Sequence, residues 1–128
     1  VYAEGYSGGG ETMSLVMGMR PDLYTAYLQC SSQWDGAYEP VVQAKTPVYF
    51  VVGAHDEYYG SEPSEDAYNN LRELYQKEGL SDEEIDDLLV LDVKDDSYFS
   101  DQGITNQHGQ GGGLFVEDDA VMGWLFGK

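Results

Sequence analysis

Cysteine, histidine and basic residues are all scarce in this sequence. A single cysteine, Cys30, excludes a disulfide within the chain. It lies in an apolar run, which suits a small buried core residue. Six lysines and arginines stand against 24 aspartates and glutamates, a formal charge of -18. Such a surface repels nucleic-acid phosphates and anionic lipid headgroups, so neither a nucleic acid nor a membrane is expected as a partner. No apolar run approaches the roughly 20 residues that a membrane-spanning helix needs. Only two histidines, His55 and His108, are present to act as bases near neutral pH.

What remains suffices for one domain with a core: 128 residues, of which 41% are hydrophobic. Residues 1–4 read as the end of a buried strand. Residues 11–18 read as a helix with Met13, Val16 and Met17 turned toward a sheet. Arg20-Pro21-Asp22 stops that helix, because proline disfavours a helical residue before it. Residues 25–30 form a second strand, followed by a polar loop at 31–38. Pro47 opens the continuously apolar run 48–52, the pattern of a parallel strand buried on both faces. Ser64 is the expected cap of a helix that runs to Glu78 and stops at Gly79, with Tyr68, Leu71, Leu74 and Tyr75 as its apolar face. Ser81 and Glu84 form a capping box for a short helix with Ile85, Leu88 and Leu89. Residues 90–93 give a fourth strand and 95–107 a long polar loop. Asp118 or Asp119 caps a final helix that buries Val121, Trp124 and Leu125. This alternation predicts an α/β fold of three layers, a parallel sheet with helices on both faces. No repeat and no linker interrupts it.

The first ten residues carry the sharpest chemical signal. Gly5-Tyr6-Ser7-Gly8-Gly9 matches G-x-S-x-G between a strand and a helix, the setting of a nucleophile elbow. The glycines let the turn hold the serine in a strained conformation. A side chain at Gly5 or Gly9 is expected to collide with the neighbouring strand or helix. Ser7 is then the candidate nucleophile, and the Gly8 N–H the candidate oxyanion donor. A serine hydroxyl needs a base, and the base needs an orienting acid. Ser7, Asp56 and His108 follow the chain order Ser, Asp, His, each just after an expected strand or on the loop beyond one. Asp35, Asp95, Asp96 and Asp101 are rival acids, and Glu57 a weaker one. His55 precedes the acid, fits the order badly, and reads as a strand-end neighbour. Tyr6 and Trp34 are candidate substrate-binding residues, Trp34 reading equally as a packing residue, with Tyr58 and Tyr59 bordering the site. The acidic cluster at 82–101 does not match the spacing of an EF-hand calcium loop and reads as a solvated face; no metal ligand is assigned.

Together these residues resemble the C-terminal half of an α/β-hydrolase of the esterase, polyhydroxybutyrate-depolymerase and prolyl-oligopeptidase branches. The likeness rests on Gly5-Tyr6-Ser7-Gly8-Gly9, Arg20-Pro21-Asp22-Leu23-Tyr24, Val52-Gly53-Ala54-His55-Asp56, and His108 ahead of Val121-Met122-Gly123-Trp124-Leu125-Phe126. It spans essentially the whole chain and implies Ser7 as nucleophile, His108 as base and Asp56 as acid. It also implies that residues 1–128 form a single partial domain. The family's earlier strands, and the loop carrying its other oxyanion donor, would then lie outside these residues. The elbow strand is accordingly expected to pair, along its bare edge, with a second copy or with that N-terminal half. The activity implied is a serine hydrolase cleaving a carboxyl ester through an acyl-enzyme, acting on a small-molecule ester or peptide and needing no metal or organic cofactor. The alternatives are a prolyl-oligopeptidase-type serine peptidase and a non-catalytic binding protein on the same fold.

Overall fold

Each of the four apolar runs becomes a strand: β1 (Tyr2–Tyr6), β2 (Ala26–Cys30), β3 (Val48–Gly53) and β4 (Leu89–Lys94). The structure, a computed structural model, describes residues 1–128. The strands lie in the order β1-β2-β3-β4, every neighbouring pair parallel. Between and after them run α1 (Gly8–Met17), α2 (Glu39–Ala44), α3 (Glu62–Lys77), α4 (Asp82–Leu88), α5 (Asp96–Ser100), α6 (Gln107–Phe115) and α7 (Asp119–Phe126). No helix is long and apolar enough to cross a membrane.

Sequential strand order has a geometric consequence. Right-handed crossovers place every strand-to-strand connection on the same face of the sheet. The chain after β4 is left to cover the other face. Two cores reflect this division. Ala3, Tyr27 and Phe50 from the sheet pack with Met17, Val41, Leu71, Tyr75 and Ile85 from α1 to α4. On the opposite face Leu28, Cys30, Tyr49 and Val51 pack with Phe99, Phe115, Val121 and Leu125 from α5 to α7. Tyr27 and Leu28, or Phe50 and Val51, point to opposite faces because strand side chains alternate. The fold is therefore the three-layer α/β arrangement expected from the alternation. The Cys30 thiol is wholly buried, and burial pushes its pKa well up, so it packs as a small hydrophobe.

Local signals decided several boundaries. The Ser81–Glu84 capping box forms as read. Asp118 caps α7, accepting from the Ala120 and Val121 amides. Other elements depart from the sequence reading. α1 begins at Gly8 rather than residue 11, and α3 begins at Glu62 after Ser61, so Ser64 is a buried residue inside that helix and not its cap. α2 lies just beyond the expected loop at 31–38, where no element was expected; Pro40 stands in its first turn, where a missing N–H costs nothing. The polar stretch 95–107 contains α5, capped by Asp95, and the glycine run after His108 lies inside α6.

The crossing of β1 and α1 is tight. A Cβ at Gly5 would stand 2.8 Å from the Gly10 Cα and 2.8 Å from the Tyr27 hydroxyl. The second crowded glycine is Gly10, whose Cβ would meet the Ser32 side chain at 2.6 Å. Gly9 faces open space, so the expected collision there does not occur. The helix turns one residue further before it meets the chain leaving β2. Gly5→Ala is expected to destabilise the fold by about 1–3 kcal/mol, the usual cost of overpacking against backbone that cannot yield. Urea denaturation measures this, and an unchanged midpoint would refute the crowding.

Candidate active site

Ser7 sits in the turn from β1 into α1 with φ 53° and ψ -122°, a conformation that non-glycine residues avoid. The surroundings over-determine it. The Ser7 N–H extends the sheet ladder to the Cys30 carbonyl at 3.1 Å. Its own carbonyl accepts from the Gly10 amide at 2.9 Å, the Glu11 amide at 3.2 Å and the Ser32 hydroxyl at 2.5 Å. Strain of this kind persists only where such contacts hold it. Gly8 follows as the first residue of α1, so its N–H has no acceptor one helical turn back. The positive end of the helix dipole favours negative charge at the same point.

Asp56 lies just beyond the carboxyl end of β3, where parallel sheets place functional groups. Its side chain is fully buried. Oδ1 accepts from the Tyr58 amide at 3.0 Å and the Tyr59 amide at 2.8 Å. Oδ2 faces His108 Nδ1 at 2.9 Å. On the far side of the imidazole, Nε2 stands 3.0 Å from the Ser7 Oγ. A carboxylate only accepts, so the bond to Asp56 puts the proton on Nδ1 and leaves the Nε2 lone pair toward the serine hydroxyl. Residues 7, 56 and 108, far apart in the chain, thus meet in one hydrogen-bonded line.

Three tyrosines surround the imidazole. Tyr6 stacks on it with ring centres 5.7 Å apart and donates its hydroxyl to the His108 carbonyl. Tyr58 stacks at 5.2 Å and is 74% exposed, the most accessible aromatic at the site. Tyr59 meets it edge-on at 5.6 Å, and its hydroxyl bonds the Glu11 carboxylate. Desolvation, reinforced by that carboxylate, pushes the Tyr59 phenol up to about 12, and burial raises Tyr6 as well. Both phenols therefore remain neutral donors at physiological pH.

Other candidates lie elsewhere. The Trp34 indole packs against Tyr27, Tyr38 and Phe50 in the core under α1 to α4, and none of its ring contacts is with Ser7, Asp56 or His108. The Asp35 amide, bonded to the Ser14 hydroxyl at 2.8 Å, ties this loop onto α1, and the half-buried indole beside it packs against the core. His55 points to the surface, where its Nδ1 meets Asp96 at 2.7 Å; that bond raises the imidazole pKa. Asp95 caps α5, and Asp96 is occupied by His55 and Gln107. Glu57 faces the backbone of α6 rather than the imidazole ring. The two surface hollows, of about 240 and 220 Å³, lie between α2 and α3 and touch none of these residues. Glu11 was not singled out from the sequence. Its position four residues after Ser7, one turn along α1, was the available signal.

This fold has a solved relative. The crystal structure of a thermostable esterase matches 98% of this chain with a TM-score of 0.72 and 20% sequence identity. The chain spans 30% of that protein's length. At this identity the likeness is one of fold. No family model and no curated protein matches the sequence.

Proposed function

We propose that this chain carries the catalytic residues of a serine hydrolase that cleaves carboxyl esters through an acyl-enzyme. The observation that carries this reading is the continuous line from Ser7 Oγ through the His108 imidazole to the Asp56 carboxylate, at 3.0 and 2.9 Å. The shared fold of the esterase supports it. His108 Nε2 takes the Ser7 proton as Oγ attacks the ester carbonyl. Asp56 holds the imidazole in the required tautomer and stabilises its positive charge. The Gly8 N–H, at the start of α1, binds the developing oxyanion. His108 then protonates the departing alkoxide. Water, deprotonated by the same imidazole, releases the acid. Tyr6 and the exposed face of Tyr58 flank His108 and contact the substrate there.

Ser7 fluorophosphonate labelling tests this. The reagent is applied to the protein beside Ser7→Ala, and mass spectrometry locates the modified peptide. Labelling at Ser7, abolished by the alanine, is the expected result, with nitrophenyl esters turned over faster than peptide anilides. A folded protein that takes no label would overturn the reading in favour of a non-catalytic scaffold.

A further inference from the structure

The base sits at the start of α6, a helix that is intrinsically weak there. Its sequence is Gln-His-Gly-Gln-Gly-Gly-Gly-Leu-Phe, and glycine in a helix interior costs about 1 kcal/mol relative to alanine. Helix starts also leave backbone donors without partners. Here Glu57 supplies acceptors for two of them. Its Oε2 takes the Gln107 amide at 3.1 Å and its Oε1 the His108 amide at 2.8 Å. Asn106 takes the Gly109 amide at 2.8 Å. Gln107 returns the contact: its side-chain oxygen accepts from the His55 amide at 3.0 Å, and its nitrogen donates to Asp96 at 2.7 Å. Glu57 follows Asp56 directly in the chain. One tripeptide, His55-Asp56-Glu57, therefore grips both the backbone and the ring of the base.

We infer that Glu57 is a positioning residue: its carboxylate, bridging two amides of α6, sets the distance and angle of the His108 imidazole between Ser7 and Asp56. The inference rests on the serine-hydrolase reading for its catalytic consequence, but its structural part stands apart from it. An ionised carboxylate suits two donors, and the two bonds agree with the lowered pKa of Glu57, caused first by the His108 amide. A displacement of about 1 Å in such a site can lower a rate on the order of a hundredfold.

The test compares wild type with Glu57→Gln and Glu57→Ala by two readouts. The first is the rate of fluorophosphonate labelling and the kcat and KM for a small ester. The second is the tautomer of the neutral His108 imidazole, read from its nitrogen chemical shifts and assigned with His55→Gln. Glu57→Ala is expected to slow labelling about tenfold to a hundredfold with KM little changed. It is also expected to move His108 from the Nδ1–H form toward the mixture of free imidazole. Glu57→Gln, keeping one acceptor oxygen, should fall between. If Glu57→Ala does not fold, Glu57→Gln decides by the same readouts. A folded variant with wild-type tautomer and wild-type labelling overturns the inference. If wild type does not label yet the tautomer responds to Glu57, the hydrolase reading fails and the positioning role stands. A tautomer unmoved in both variants sinks the positioning role whatever the labelling shows.

Discussion

His108→Ala is expected to reduce kcat for ester cleavage about a million-fold, or ~8 kcal/mol of transition-state stabilisation. Loss of the base from such a constellation costs about as much as loss of the whole, because the three groups act as one unit. The size follows from the absence of a substitute. The only other histidine, His55, faces Asp96 at the surface and is 75% exposed in its side chain. The phenols of Tyr6 and Tyr59 are held neutral by burial and cannot serve as bases. The fold should survive, because the Glu57 bond is made to the backbone amide of His108, which alanine retains. Stopped-flow turnover with a nitrophenyl ester, beside a thermal melt, measures both. Activity within tenfold of wild type in the folded variant would remove His108 from the mechanism.

Asp56→Asn is expected to cost about ten-thousand-fold in kcat with a small change in stability. The surroundings decide which way the new amide turns. Oδ1 accepts two backbone N–H groups, from Tyr58 and Tyr59, so the amide oxygen must stay on that side. The amide nitrogen then replaces Oδ2 and presents a donor to His108 Nδ1, which stands 2.9 Å away in the parent. Two donors cannot share one bond. The imidazole must move its proton to Nε2, and Nε2–H cannot accept the Ser7 proton. Nitrogen chemical shifts of His108 should report this switch while kcat falls. A variant that keeps the Nδ1–H tautomer, or keeps its activity, would show that Asp56 is not the orienting acid.

The order of the chemistry was legible in the chain. A strand-to-helix turn with glycines around Ser7, an apolar strand ending just before Asp56, and a histidine downstream of both were local features. Local signals also suffice for the four strands, whose apolar runs need a covered sheet, and for the caps at Ser81 and Asp118, where a short polar side chain meets its own helix. α6 shows where such reading stops. Its glycines suggest a loop, since nothing nearby in sequence offsets their backbone entropy. The compensation comes from Glu57, about fifty residues earlier, and from close packing. A Cβ at Gly112 would stand 2.6 Å from the Tyr6 ring, so only glycine lets α6 approach the end of β1. Trp34, which the sequence left open between pocket and packing, is half-buried and packs its indole against Tyr27, Tyr38 and Phe50.

The sequence by itself determined the alternation of elements, and with it the parallel sheet and the strand ends at which Ser7 and Asp56 stand. Those follow from periodicity and turn chemistry within a few residues. Chain order also pointed to His108 over His55 and to Asp56 over Glu57 as the acid; only the tertiary structure decided that Glu57 takes the backbone amides of Gln107 and His108. Neighbouring residues Asp56 and Glu57 carry the same chemical group. What separates their roles is the position of a helix start contributed by a distant segment, and no spacing along the chain encodes that distance.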